Sequence, residues 1–142
     1  MKKLLHLLLA CALCVSVAAC GQKKAALEGE VDVDLTQYSS TMVYSMVTDI
    51  AGSPGDYTGK TIRMKGRFNV YHDDAKNRDY FSCLVSDATA CCAQGFEFKL
   101  KDGAKYPDDY PEDGATITVK GVFHTYTEDG YIWPELIDAE IA

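Results

Sequence analysis

The stretch Thr61-Ile62-Arg63-Met64-Lys65-Gly66-Arg67-Phe68-Asn69-Val70 decides the fold. Apolar Ile62, Met64, Phe68 and Val70 alternate with polar Thr61, Arg63, Lys65 and Arg67. A period of two sets one face of an extended chain against a core and leaves the other in water, so a long β-strand with one buried face is expected. Gly66 falls at an inward position, where a strand bends or bulges. The pattern returns downstream: residues 114–123 match residues 59–68 at six of ten positions, and Gly121 stands where Gly66 stood. Two copies are too few for a repeat array. Two long strands kinked by glycine instead suggest a small closed barrel, whose strands turn sharp corners.

Working outward, residues 80–86, 96–100, 115–126 and 131–141 carry the same strand pattern, with Pro134 marking an edge or a bulge. Residues 72–79, 101–114 and 127–130 are polar or rich in Pro, Gly and Asp, and read as turns and loop. Upstream, Ser39-Ser40 offers a helix cap, and Met42, Val43, Met46, Val47 and Ile50 form a helical stripe that Gly52, Pro54 and Gly55 stop. Core packing is the expected use of this methionine-bearing face. Val31 to Asp34 alternates over too few residues for more than a short edge strand. The expected class is therefore mainly β, five strands preceded by one amphipathic helix, with a plain open sandwich as the alternative to a barrel.

Composition agrees with a single globular domain: 142 residues, 47% hydrophobic and 25% charged. The net charge of −7 argues against nucleic acid, whose phosphates need Lys and Arg partners. At the start, Lys2 and Lys3 precede an apolar run to Val17, too short for a comfortable membrane span and ending in small residues, as a secretory signal does. The sequence Val17-Ala18-Ala19-Cys20-Gly21 resembles the lipobox of bacterial lipoproteins. That resemblance implies cleavage before Cys20, lipid on the Cys20 thiol, and attachment to the extracytoplasmic face of a cell membrane or envelope. Two or more acyl chains hold such an anchor firmly. The expected organisation is a signal peptide over 1–19, a flexible tether over 20–37 and a domain over 38–142. Loss of residues 1–19 removes Lys2 and Lys3 and brings the net charge to −9.

The two glycine-kinked motifs, followed by Tyr131-x-x-Pro134-x-Leu136, are similar to the first, fourth and fifth strands of an OB-fold. Residues 38–142 as a whole resemble small bacterial OB-fold-like lipoproteins. More remotely they are similar to the extracytoplasmic OB-like domain of permease-associated proteins that carry a Cys-Cys pair followed by Asp. Here Cys91-Cys92 runs into Ala93-Gln94-Gly95, so a role for that Asp does not carry over. The resemblance implies a small five-strand OB-like barrel that acts as a binding module.

Of six cysteines, Cys11 and Cys14 fall in the signal segment, Cys20 is the lipidation candidate, and Cys83, Cys91 and Cys92 crowd into one hairpin. Cys83 is in phase with Phe81 and Val85, and Cys92 with Phe96 and Phe98. Three chemistries remain open. A Cys83–Cys92 disulfide suits an oxidising compartment but leaves Cys91 over. A soft-metal site for zinc or Cu(I) would use Cys83, Cys91 and Cys92, with His124 or His72 as a fourth ligand. Adjacent cysteines on a strand point to opposite faces, however, so such a site needs a bulge. A redox-active thiol or a Cys91–Cys92 disulfide is the third.

Arg63, Lys65 and Arg67 make a basic stripe that is either a solvated strand face or a site for an anionic ligand. The loop carboxylates lack EF-hand spacing, and no P-loop, nucleophile elbow, His-Glu-x-x-His or dinucleotide glycine pattern occurs. The expectation is a non-enzymatic, lipid-anchored module that handles a metal, zinc above all, through the cysteines. The alternatives are an adaptor with a Cys83–Cys92 bridge that docks an envelope membrane protein, and a thiol redox protein.

Overall fold

A computed structural model describes residues 27, 29–101 and 103–142. The expected signal peptide and Cys20 lie outside the described residues. The chain forms β1 (Val33–Asp34), α1 (Ser40–Gly52), β2 (Thr61–Asp73), β3 (Arg78–Ser86), β4 (Ala93–Leu100), β5 (Thr116–Glu128) and β6 (Tyr131–Ile141). Among the described residues it is mainly β, with one α-helix ahead of five long strands. The two-residue β1 is a sixth strand, paired in parallel with β2.

The first half of β2 pairs with β5 and the second half with β3, and the change of partner falls at Gly66–Arg67. A Cβ on Gly66 would lie 2.5 Å from the Leu84 carbonyl oxygen, so only glycine lets the two backbones come this close. From β3 the pairing runs to β4, then in parallel to β6, then to β5 and back to β2. Within this ring of pairings, Ile62, Met64, Phe68, Phe96, Phe98, Val119, Phe123 and Leu136 are buried side by side. Burial of each large side chain contributes about 1.5–3 kcal/mol.

The helix supplies Val43, Val47 and Ile50 to this core, whereas Met42 turns to solvent at 51% exposure, so the expected stripe is narrower by one residue. Loop residues Tyr106 and Tyr110 pack against Phe81, and Tyr110 also stacks on Phe68 and Phe98. The 101–114 loop thus covers an end of the aromatic core without a helix of its own.

The expected tether of 20–37 differs from what forms. Leu35 is fully buried, and the Arg63 guanidinium donates to the Leu27 carbonyl and the Asp34 carboxylate. Asp34 in turn accepts from the Thr36 backbone and hydroxyl, capping a short 3-10 turn. The segment from Val33 onward is therefore part of the domain.

Candidate metal centre in the β3–β4 turn

β3 ends at Ser86 and β4 begins at Ala93, so Cys91 and Cys92 both lie in the intervening turn. Asp87 builds that turn. Its backbone N–H donates to the Cys92 carbonyl, and its Oδ1 accepts from the backbone N–H groups of Thr89 and Cys91. The Thr89 hydroxyl holds the same carboxylate at 3.0 Å from Oδ2. Ala90 takes a φ of +57°, a left-handed conformation that costs a non-glycine residue and here swings the chain so that Cys91 faces Asp87. The opposed directions expected of neighbouring strand cysteines do not arise, because neither residue is in a strand.

The consequence is convergence. Cys91 Sγ lies 3.5 Å from Cys92 Sγ and 3.4 Å from Asp87 Oδ2. All three ligand atoms fall within 4.8 Å of one another. Two thiolates about 2.3 Å from one tetrahedral zinc sit roughly 3.8 Å apart, and a thiolate and a carboxylate oxygen roughly 3.6 Å apart. The two contacts that Cys91 Sγ makes thus lie within a few tenths of an ångström of the edges of such a site, and the third edge is closed to within 4.8 Å.

Electrostatics favours an anionic Asp87 carboxylate beside a protonated Cys92 thiol. Burial works to raise the Asp87 carboxyl, but hydrogen bonds from Thr89, Cys91 and Cys92 outweigh it and leave it below the ordinary value. The Cys92 thiol is raised, first by its contact with Cys91, then by desolvation and the Asp87 charge. Helix α1 packs alongside: the Gln94 side-chain amide donates to the Tyr44 carbonyl at 2.6 Å and to the Thr48 hydroxyl.

The other expected ligands are elsewhere. Cys83 is fully buried in the core, opposite Phe96, and burial pushes its thiol up to about 12. Asp87 pairs with Cys92 four residues beyond Cys83, roughly 13 Å at the rise of a strand. A disulfide needs Cα atoms within about 7 Å. The expected Cys83–Cys92 bridge is accordingly absent, and Cys83, Cys91 and Cys92 are all free thiols. Cys92 lies in the turn ahead of β4, so its phase with Phe96 and Phe98 does not place it opposite Cys83.

His124 lies on β5 with Nδ1 3.0 Å from the buried Glu135 carboxylate, which also pairs with Lys99 at 2.7 Å. His72 sits near the end of β2, 2.7 Å from Asp79 of β3, which lies roughly 26 Å of strand from Asp87. Neither reaches the cysteines. Arg63 of the basic stripe is committed to Asp34 and Leu27, while Lys65 and Arg67 remain exposed. Asp87 is the member of this cluster that the sequence pattern did not single out. Its signal was an Asp opening a turn four residues before a cysteine pair, the spacing at which an Asx carboxylate caps following N–H groups. No protein-family model, curated protein or solved structure matches the chain.

Proposed function

We propose that the protein is a lipid-anchored, extracytoplasmic binding module that takes up zinc in the β3–β4 turn. The convergence of Cys91 Sγ, Cys92 Sγ and an Asp87 oxygen carries this reading. The ligand set is harder and smaller than the sequence implied: two thiolates and one carboxylate, without Cys83 or His124. Three protein ligands leave a fourth position for water or for a donor from elsewhere, as sites that exchange or present a metal do. Both cysteines are exposed, so the ion would enter and leave without unfolding the domain. The lipobox-like Val17 to Cys20 supports an anchor at the outer face of a membrane, beside which an envelope membrane protein could receive the ion.

The test is zinc content after loading of the reduced mature chain and removal of excess ion. One zinc per chain is expected, lost in Cys91→Ser and in Cys92→Ser, weakened in Asp87→Asn and retained in Cys83→Ser. No zinc in the wild type, or loss in Cys83→Ser with retention in Cys91→Ser, would refute it. The anchor is checked separately by fatty-acid labelling, which Cys20→Ala should abolish.

A further inference from the structure

On the outer face of the sheet, away from the core and from the cysteine turn, lies a cleft of about 400 Å³. Its floor is Leu84, Gly95 and Glu97, from the middle of β3 and β4. Gly95 is required there, since a Cβ would fall 1.9 Å from the Cys83 carbonyl oxygen. The walls are rings: Tyr71 and Tyr80 from the β2–β3 hairpin, Tyr126 and Trp133 from the β5–β6 hairpin. Tyr71 and Trp133 are 61% and 44% exposed, large apolar surfaces left in water on a chain with ample core to fill. At the tips, Lys76 crosses from one hairpin to Asp129 of the other at 2.6 Å and bounds the cleft.

The chemistry of this lining is specific. Four carboxylates, Asp73, Glu97, Glu128 and Asp129, face it against the single lysine. Glu128 is occupied by Lys76, Arg78 and Tyr80, and Asp129 by Lys76. Glu97 is different: partly buried at the floor, its hydrogen bond comes from the neutral Tyr126 hydroxyl at 2.8 Å. Burial raises its carboxyl above the ordinary value and the nearby Glu135 and Glu128 charges add to this, while Arg78, whose ion pair is with Glu128, acts the other way. The rings already accept cations from within the protein, with the Arg78 guanidinium 4.4 Å from the centre of Tyr80 and the Lys99 ammonium 5.1 Å from that of Tyr126.

We infer that this cleft binds a small organic cation, an alkylammonium compound, with its charge against Glu97 and its carbon skeleton against the Tyr71, Tyr80 and Trp133 rings. A volume near 400 Å³ suits a small molecule, and the Lys76–Asp129 bridge at the tips suits a compact ligand over a through-running chain. The inference uses none of the residues of the cysteine turn.

Trp133 is the one tryptophan of the chain, so its fluorescence reports on this cleft alone. Spermidine and choline are titrated into the mature protein, with tri-N-acetylchitotriose as the neutral arm and a lysine-containing tetrapeptide as the macromolecular arm. A saturable change is expected with spermidine or choline, weakened at least tenfold in Glu97→Gln and severalfold in Tyr71→Ala. Tyr71 is exposed, so the second variant folds whatever the first does. A chain carrying both Cys91→Ser and Cys92→Ser should bind the cation as wild type does, whether or not zinc uptake is lost. No saturable change up to about 10 mM, beyond the weakest specific affinities, overturns the inference. So does tighter binding of the neutral sugar or of the peptide, or unchanged affinity in both variants.

Discussion

At the scale of single residues, three cysteines of one hairpin divide between two environments. Cys83 is sealed in the core with its thiol pushed up to about 12, whereas Cys91 and Cys92 face solvent. Thiolate is the reactive form. In folded, reduced protein a maleimide should label Cys91 and Cys92 and spare Cys83, and denaturant should release the third thiol. Rapid labelling of Cys83 in the native state would contradict its burial. Cys92 titrates above its ordinary value, so at neutral pH it is mostly protonated and metal must displace a proton. Zinc affinity should therefore rise with pH through the alkaline range, which competition with a chromophoric chelator measures.

Asp34 obeys the opposite sign. The Arg63 guanidinium holds its carboxyl well below the usual carboxylate range, against a smaller desolvation effect. Its contribution is fully present above the unfolded value near about 4, and is lost as pH falls below that. The pair is partly exposed, so Asp34→Asn should cost about 1 kcal/mol at neutral pH. Urea melts should show that this difference shrinks at pH 3. A difference that persists there would show that packing, and not the charge, is responsible.

At the scale of elements, the strands were legible because their inward residues are unambiguous. Ile62, Met64, Phe68, Ile117, Val119 and Phe123 alternate with only Gly66 and Gly121 breaking the apolar series, and all six are buried. The ends were less so. β2 and β3 continue three and two residues past the expected limits, through ladder pairs such as Asp73 with Arg78, where both faces are wet and alternation disappears. β4 starts three residues early because Ala93, Gln94 and Gly95 carry no apolar signal. The internal echo had a structural meaning that periodicity alone could not supply. Gly66 and Gly121 each sit where another backbone presses close, Gly121 with a would-be Cβ 2.9 Å from the Ile137 carbonyl. Gly66→Ala should accordingly destabilise the domain by more than about 2 kcal/mol, read by urea unfolding, whereas Gly52→Ala in open space should not destabilise it.

At the scale of the whole molecule, core and candidate sites are separate. The ring of strands closes over phenylalanines from β2, β4 and β5, while the cysteine turn projects from the end of β3 and β4. Stripping the metal with a chelator should therefore leave the far-ultraviolet dichroism unchanged, unlike a domain whose fold depends on zinc. Loss of structure on chelation would contradict that separation. The sequence placed the three cysteines in one hairpin but not their directions, because those depend on a turn that Asp87 and the left-handed Ala90 close together. The outer cleft was illegible for a related reason. Its lining comes from the β2–β3 and β5–β6 hairpins and from β4, which meet only once β5 pairs with β2 and β6 with β4.

The central claim is that zinc is held by two sulfurs and a carboxylate of this turn. X-ray absorption at the zinc edge, on the reduced, zinc-loaded mature protein, tests it most directly. Two sulfur neighbours at about 2.3 Å are expected, together with oxygen neighbours at about 2.0–2.2 Å. A shell with three sulfurs, or with none, would contradict it.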